Sequence, residues 1–123
     1  MELNIRLQIL KDAGQISDVN YKSMIKIIEL FKEKYEIELN EENGAMFITH
    51  FSIAYERILK DEIVNEISHE IYKEVVSSKS FTKSQKVLID IEEELKFKIP
   101  EVEKKYLMIY LCLLFDNQIK KIT

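Results

Sequence analysis

Few side chains in this sequence have the chemistry to act on another molecule, and His50 with Arg57 is the pair that stands out. The two are seven residues apart, two helical turns, so on a helix they lie along the same side. A neutral imidazole is a nucleophile near pH 7 and can accept a phosphoryl group at a ring nitrogen. A guanidinium nearby could then neutralise the added charge with a bidentate contact. A core histidine with one hydrogen-bonded nitrogen, beside a surface arginine, is the competing reading, and the spacing leaves both open.

Other chemistry finds little support. The strong N or S metal donors are His50, His69 and Cys112, with no paired spacing among them, so no metal site and no cofactor is expected. Cys112 lies in the most apolar segment, where a thiol is a small inert hydrophobe rather than half of a Cys–His pair. The acidic run at residues 90–94 reads as a solvated face with Asp90, Glu92, Glu93 and Glu94 mostly outside. Two isolated glycines cannot build a phosphate loop. The chain is not expected to be an enzyme.

The elements that would position His50 are helices. With only two glycines and one proline in 123 residues, the tight turns of an all-β fold have few places to form. The expected fold is all-α, a single compact bundle of five to six helices forming one domain over residues 1–123. A first helix at 3–12 carries Leu3, Leu7 and Leu10 and ends at Gly14. A second starts after Ser17 or Asp18 and lines up Tyr21, Met24, Ile25, Ile28, Phe31 and Tyr35. Asn40 is expected to cap a third helix running to about Lys60, with Gly44 in its first turn. Phe47, His50, Phe51, Ala54 and Ile58 share its inner face, which Met46 and Ile53 widen.

A fourth helix is expected at 63–77, with the stripe Ile63, Ile67, Ile71 and Val75; His69 falls half a turn off it, partly exposed. Thr82 and Gln85 form a capping box that opens a fifth helix to about Phe97, with Val87, Leu88, Ile91 and Leu95 inside. Pro100 suits the first position of a last helix running to about Lys120. Its LMIYLCLLF segment is apolar all round and so expected to be buried; Tyr106 and Tyr110, one turn apart on the same helix, are also expected to be buried.

Composition excludes several functions. Charged residues make up 33% of the chain and the net charge is −4. Lys79, Lys83 and Lys86, and the terminal Lys120 and Lys121, read as solvated helix ends, not the basic stripe that nucleic acid demands. The single cysteine cannot form an internal disulfide, as suits a reducing cytosol. No signal peptide is visible, and the apolar run at 107–115 is too short to span a bilayer. A cytoplasmic protein without direct nucleic-acid or membrane contact is expected.

Residues 46–57, MFITHFSIAYER, resemble the first motif of PTS regulation domains, with a histidine, a short apolar stretch and an arginine on one helix. Asn65 and residues 67–71 are similar to the asparagine and glutamate-isoleucine elements that follow. IEEELKFKIPEVEKKYLMIYL, residues 91–111, is similar to the last motif, with Pro100, Glu101, Glu103 and Tyr106 matching in order. The resemblance spans about residues 22–115.

It implies a helical bundle that forms a homodimer in bacteria and takes a phosphoryl group from the phosphocarrier HPr or a sugar-specific enzyme II. It implies further that modification changes the dimer and the activity of an effector or partner protein, in the control of transcription. His50 matches the phosphorylated histidine, with Arg57 and Asn65 as motif residues near it. Two positions depart from the pattern. Tyr110 stands where the closing helix carries a second histidine, leaving one site at most. Thr49 stands where antiterminator domains often have aspartate, which removes a charge and an acceptor beside the ring. The first 20 residues are too few and not basic enough for a nucleic-acid-binding segment, so a small stand-alone domain is expected. The alternative is a non-catalytic dimerisation or adaptor scaffold in which His50 is structural.

Overall fold

The computed structural model describes residues 2–122, with side chains described for residues 2–118; the side chains of Lys120 and Lys121 lie outside the described residues. All regular structure among the described residues is helical: α1 (Leu3–Asp12), α2 (Asp18–Tyr35), α3 (Ala45–Leu59), α4 (His69–Val76), α5 (Phe81–Leu95) and α6 (Glu101–Ile122). α6 packs against α3, α4 and α5, while α2 packs against α1, α3 and α5. Phe31, Phe47, Phe51 and Phe115 fill the centre together with Leu7, Met24, Ile27 and Leu111. Burying each such side chain contributes about 1.5–3 kcal/mol.

α2 starts where the sequence indicates, with the Ser17 hydroxyl accepting from the Asn20 N–H at 3.2 Å. Its inner face, however, is Asn20, Ser23, Met24, Ile27 and Phe31. The expected stripe through Tyr21, Ile25 and Ile28 is only half-buried. The shift of about one residue has a polar cause. Asn20 Nδ2 donates to the Ser52 carbonyl at 2.8 Å and to Glu56 Oε1 at 3.0 Å, so both donors of this amide are satisfied inside and draw its face inward, while its Oδ1 is buried without a partner among the described residues.

α3 begins later than expected. Asn40 Oδ1 accepts from the N–H groups of Glu42 and Asn43, at 2.9 Å each, so it caps a separate turn at 41–44 and not the helix. Gly44 sits at the end of that turn, where an added Cβ would lie 3.0 Å from Leu39 Cβ and Cδ2. The expected inner face also needs correction. Phe47, Ile48, Phe51, Ser52, Ala54 and Tyr55 are buried. Met46 (58% exposed) and Ile53 (40%) lie outside, on the His50 side of the helix.

The fourth helix is half the expected length. Ser68 Oγ accepts from the Ile71 N–H at 3.2 Å and opens α4 there, while residues 63–68 are irregular. Ile63 is 97% exposed and Ile71 is 51% exposed, so the Ile63–Ile67–Ile71 stripe does not exist; Val75 alone of it is buried. The Tyr106 hydroxyl donates to the Asn65 carbonyl at 2.7 Å, giving this segment's backbone a partner outside a helix. His69, the first residue of α4, is exposed.

α5 opens at Phe81, one residue ahead of Thr82, so the Thr82–Gln85 capping box does not form. The neighbouring hydroxyls serve a tertiary link instead: Ser80 Oγ and Ser78 Oγ donate to Asp116 on α6 at 2.5 and 3.0 Å. The helix ends at Lys96 in the left-handed region (φ 51°) rather than at Phe97. Asp90 is buried, against expectation. It accepts from the Tyr35 hydroxyl and pairs with Lys34 at 3.1 Å, which compensates its loss of water.

Pro100 directly precedes α6, and its carbonyl accepts from the Lys104 N–H at 2.9 Å. α6 is not buried all round. Leu107, Met108, Leu111, Cys112, Leu114 and Phe115 point into the core. Tyr106, Ile109 and Tyr110 are half-buried and Leu113 is exposed, so one stripe of the helix stays open to solvent.

Candidate functional site

His50 lies on the outer side of α3, and its residue surface is exposed. Its ring stacks face to face on Tyr110 of α6, with centroids 4.0 Å apart and planes within 5°. Two turns along, Arg57 makes a bidentate pair with Glu103 of α6, through Nε to Oε2 at 3.2 Å and Nη2 to Oε1 at 2.9 Å. The two contacts fix the relation of α3 and α6. His50 and Arg57 are seven residues apart on one helix, and Tyr110 and Glu103 are seven apart in the opposite sense on the other. The helices therefore pair antiparallel over about 10 Å.

Electrostatics favour the neutral ring. Burial of part of the imidazole, and then the positive charge of Arg57, hold its pKa below the ordinary histidine value. A neutral imidazole has an in-plane lone pair on one nitrogen and is the nucleophilic form. The Glu103 carboxylate raises the Arg57 guanidinium further above its already high value, against the opposing effect of burial. Arg57 thus stays charged, with its fork held by Glu103 and not pointed at His50.

The structure brings together only some of the residues singled out in the sequence. His50 and Tyr110 touch, and Arg57 influences the ring by charge. Asn65 is exposed in the irregular segment before α4, where its backbone carbonyl holds Tyr106. Thr49 Oγ1 is buried and has no hydrogen-bond partner among the described residues, so this hydroxyl does not orient the neighbouring ring. Cys112 is a buried free thiol.

Met46 and Ile53, one turn either side of His50 on α3, and Leu113 (46% exposed), one turn after Tyr110 on α6, are exposed apolar residues. Hydropathy places Met46, Ile53 and Tyr110 inside; their exposure follows from the phase of α3 and α6, which a hydropathy pattern does not carry. Glu103 is visible in the sequence as a motif residue, but not as the partner of Arg57, because the two lie 46 residues apart.

Elsewhere, a cavity of about 660 Å³ opens between the start of α1, α2 and residues 38–42 and includes neither His50 nor Cys112. Among the described residues no cluster of His, Cys, Asp and Glu could hold a metal ion, and no helix is long and apolar enough to cross a membrane.

A family model described as PRD domain matches residues 25–112 of the 123. No curated protein and no solved structure matches the chain.

Proposed function

The chain belongs to the PRD family, which makes it a regulatory module of the phosphotransferase-system kind, and on that footing we propose that His50 is its phosphoryl acceptor. The observation that carries this reading is the exposed position of His50 inside the matched segment. The donor is HPr or a sugar-specific enzyme II. The lone-pair nitrogen of the neutral ring attacks phosphorus as the bond from phosphorus to the donor breaks. The depressed pKa keeps that lone pair available at neutral pH.

The output is a change of assembly. Met46, Ile53 and Leu113 give the His50 face an apolar character that suits a homodimer interface. A phosphoryl group adds about −1.5 to −2 charge at pH 7, which such a face cannot cover without a cation. Arg57 is the cation whose charge reaches the ring, and it is held by Glu103. Phosphorylation therefore opens or re-forms the dimer, and a downstream protein or transcription factor reads the change. The module works in the bacterial cytoplasm, through protein partners and without catalysis of its own.

The test is incubation with phosphoenolpyruvate, enzyme I and HPr, with and without enzyme II components, on wild type and His50→Ala. An acid-labile adduct of one phosphoryl group on wild type alone is expected by intact mass. Sedimentation should show His50→Asp and Leu113→Glu shifted toward monomer. Absence of an adduct with every donor would overturn the switch. A second reading, a dimerisation or adaptor scaffold with a structural histidine, is favoured by the engagement of Arg57 with Glu103; it expects a stable dimer and no adduct.

A further inference from the structure

We propose that Tyr110 is a positioning residue for His50, a flat platform that holds the imidazole in one orientation with its nitrogen-bearing edge open. The proposal deepens the reading of His50 as phosphoryl acceptor and rests on it for its functional consequence. The orientation itself is a separate and separately measurable property.

An imidazole reacts at its edge. The nitrogen lone pair points outward in the ring plane, so attack on phosphorus and the resulting N–P bond both lie in that plane. Tyr110 covers a face and not an edge: the planes are within 5° and the centroids 4.0 Å apart. Stacking of this kind restricts rotation of the His50 side chain without occupying the path to its nitrogen. A phosphoryl group added in the plane leaves the stacked face unchanged, so the same platform serves the ring before and after modification.

Orientation needs a platform that does not drift, and the surroundings of Tyr110 provide one. Its neighbours Leu107, Leu111 and Cys112 are buried in the core. One turn earlier on α6, the Tyr106 hydroxyl is tied to the Asn65 carbonyl at 2.7 Å. Two turns earlier, Glu103 is locked to Arg57 of α3 by two hydrogen bonds. The last tie joins the two helices that carry the stacked rings, so Tyr110 and His50 are held in register by a contact remote from both. Thr49, the polar neighbour of His50 in sequence, makes no hydrogen bond to a described residue and gives the ring no orientation. Tyr110 therefore offers the ring of His50 a large, uncharged stacking surface.

The test compares wild type with Tyr110→Phe and Tyr110→Leu. Phe keeps the ring and drops the hydroxyl; Leu keeps apolar volume so that α6 stays packed. Two quantities are read: the His50 side-chain rotamer and ring-current shift by NMR, and the initial rate of phosphoryl uptake from phosphorylated HPr. Tyr110→Phe is expected to match wild type in both. Tyr110→Leu is expected to lose the ring-current shift, to average its His50 rotamers, and to slow uptake about three- to tenfold, the size of an aromatic pair's contribution, with the donor KM unchanged. An unchanged rotamer in Tyr110→Leu overturns the proposal. So does a Phe variant as impaired as Leu, which would assign the effect to the hydroxyl. If wild type accepts no phosphoryl group from any donor, the functional reading fails on that result alone, and the rotamer measurement still decides the role of Tyr110.

Discussion

Replacing Arg57 should cost this protein far more stability than neutralising Glu103, although the two form one ion pair. The difference lies in what each change leaves behind. The Glu103 side chain is 3% exposed and that of Arg57 is 31% exposed. Arg57→Ala abandons a carboxylate almost out of reach of water, whereas Glu103→Gln leaves a guanidinium that still meets solvent and keeps one acceptor oxygen. Breaking a buried pair from one side costs about 3–5 kcal/mol. The low end, about 3 kcal/mol, applies to Arg57→Ala because one partner is partly solvated. Glu103→Gln should cost about 1 kcal/mol, the net worth of an ordinary hydrogen bond. In a chain of this size each kcal/mol moves the thermal midpoint by about 3–5 °C. The assay is urea and thermal unfolding at one fixed protein concentration, since the stability of an associating protein depends on concentration. The double variant Arg57→Met with Glu103→Leu, which leaves no charge buried, should recover most of the loss. Equal costs for the two single variants, or a larger cost for Glu103→Gln, would refute the reasoning.

Asp90 should make the protein acid-sensitive. Burial pushes its carboxyl up, but the Tyr35 hydroxyl, Lys34 and Lys86 together outweigh this and hold it below the usual carboxylate value. As pH falls, the unfolded chain takes up the proton first, so the stabilisation is full above about pH 4 and is lost as pH drops through the folded value. A urea-midpoint series against pH should therefore fall less steeply below about pH 4 in Asp90→Asn than in wild type, with a lower midpoint at pH 7; parallel curves would show that Asp90 does not set the acid sensitivity. Gly44→Ala should destabilise by about 1–3 kcal/mol, because the new methyl meets Leu39 Cβ and Cδ2 at 3.0 Å. An unchanged unfolding midpoint would show that residues 39–44 yield without cost.

How much of this molecule was legible depended on whether a signal was local. The start of α2 was legible because Ser17 caps a helix through its own neighbours. The capping box and the stripes that failed did so where a side chain nearby had a distant partner. Ser80, beside the expected start of α5, bonds Asp116 at 36 residues' separation. Tyr106 holds the Asn65 carbonyl across 41 residues, and the segment expected to open the fourth helix is irregular. Asn20 and Asp90 went inward because Glu56, Ser52, Tyr35 and Lys34 were waiting there. No hydropathy pattern carries that information, since it treats polar groups as solvated wherever they stand.

The sequence by itself determined the all-helical class, through scarce glycine and proline and apolar residues at helical period. It also determined the family, whose model matches residues 25–112, close to the interval the motifs indicated. It marked His50, Arg57 and Tyr110 as positions that matter. Only the tertiary structure decided what those three do to one another. Their arrangement depends on the relative phase of α3 and α6, which turns His50 outward, lays Tyr110 flat against it and gives Arg57 to Glu103. The period of a helix fixes which residues share a side, but the side that faces inward is chosen by the core and the polar bonds that form around it.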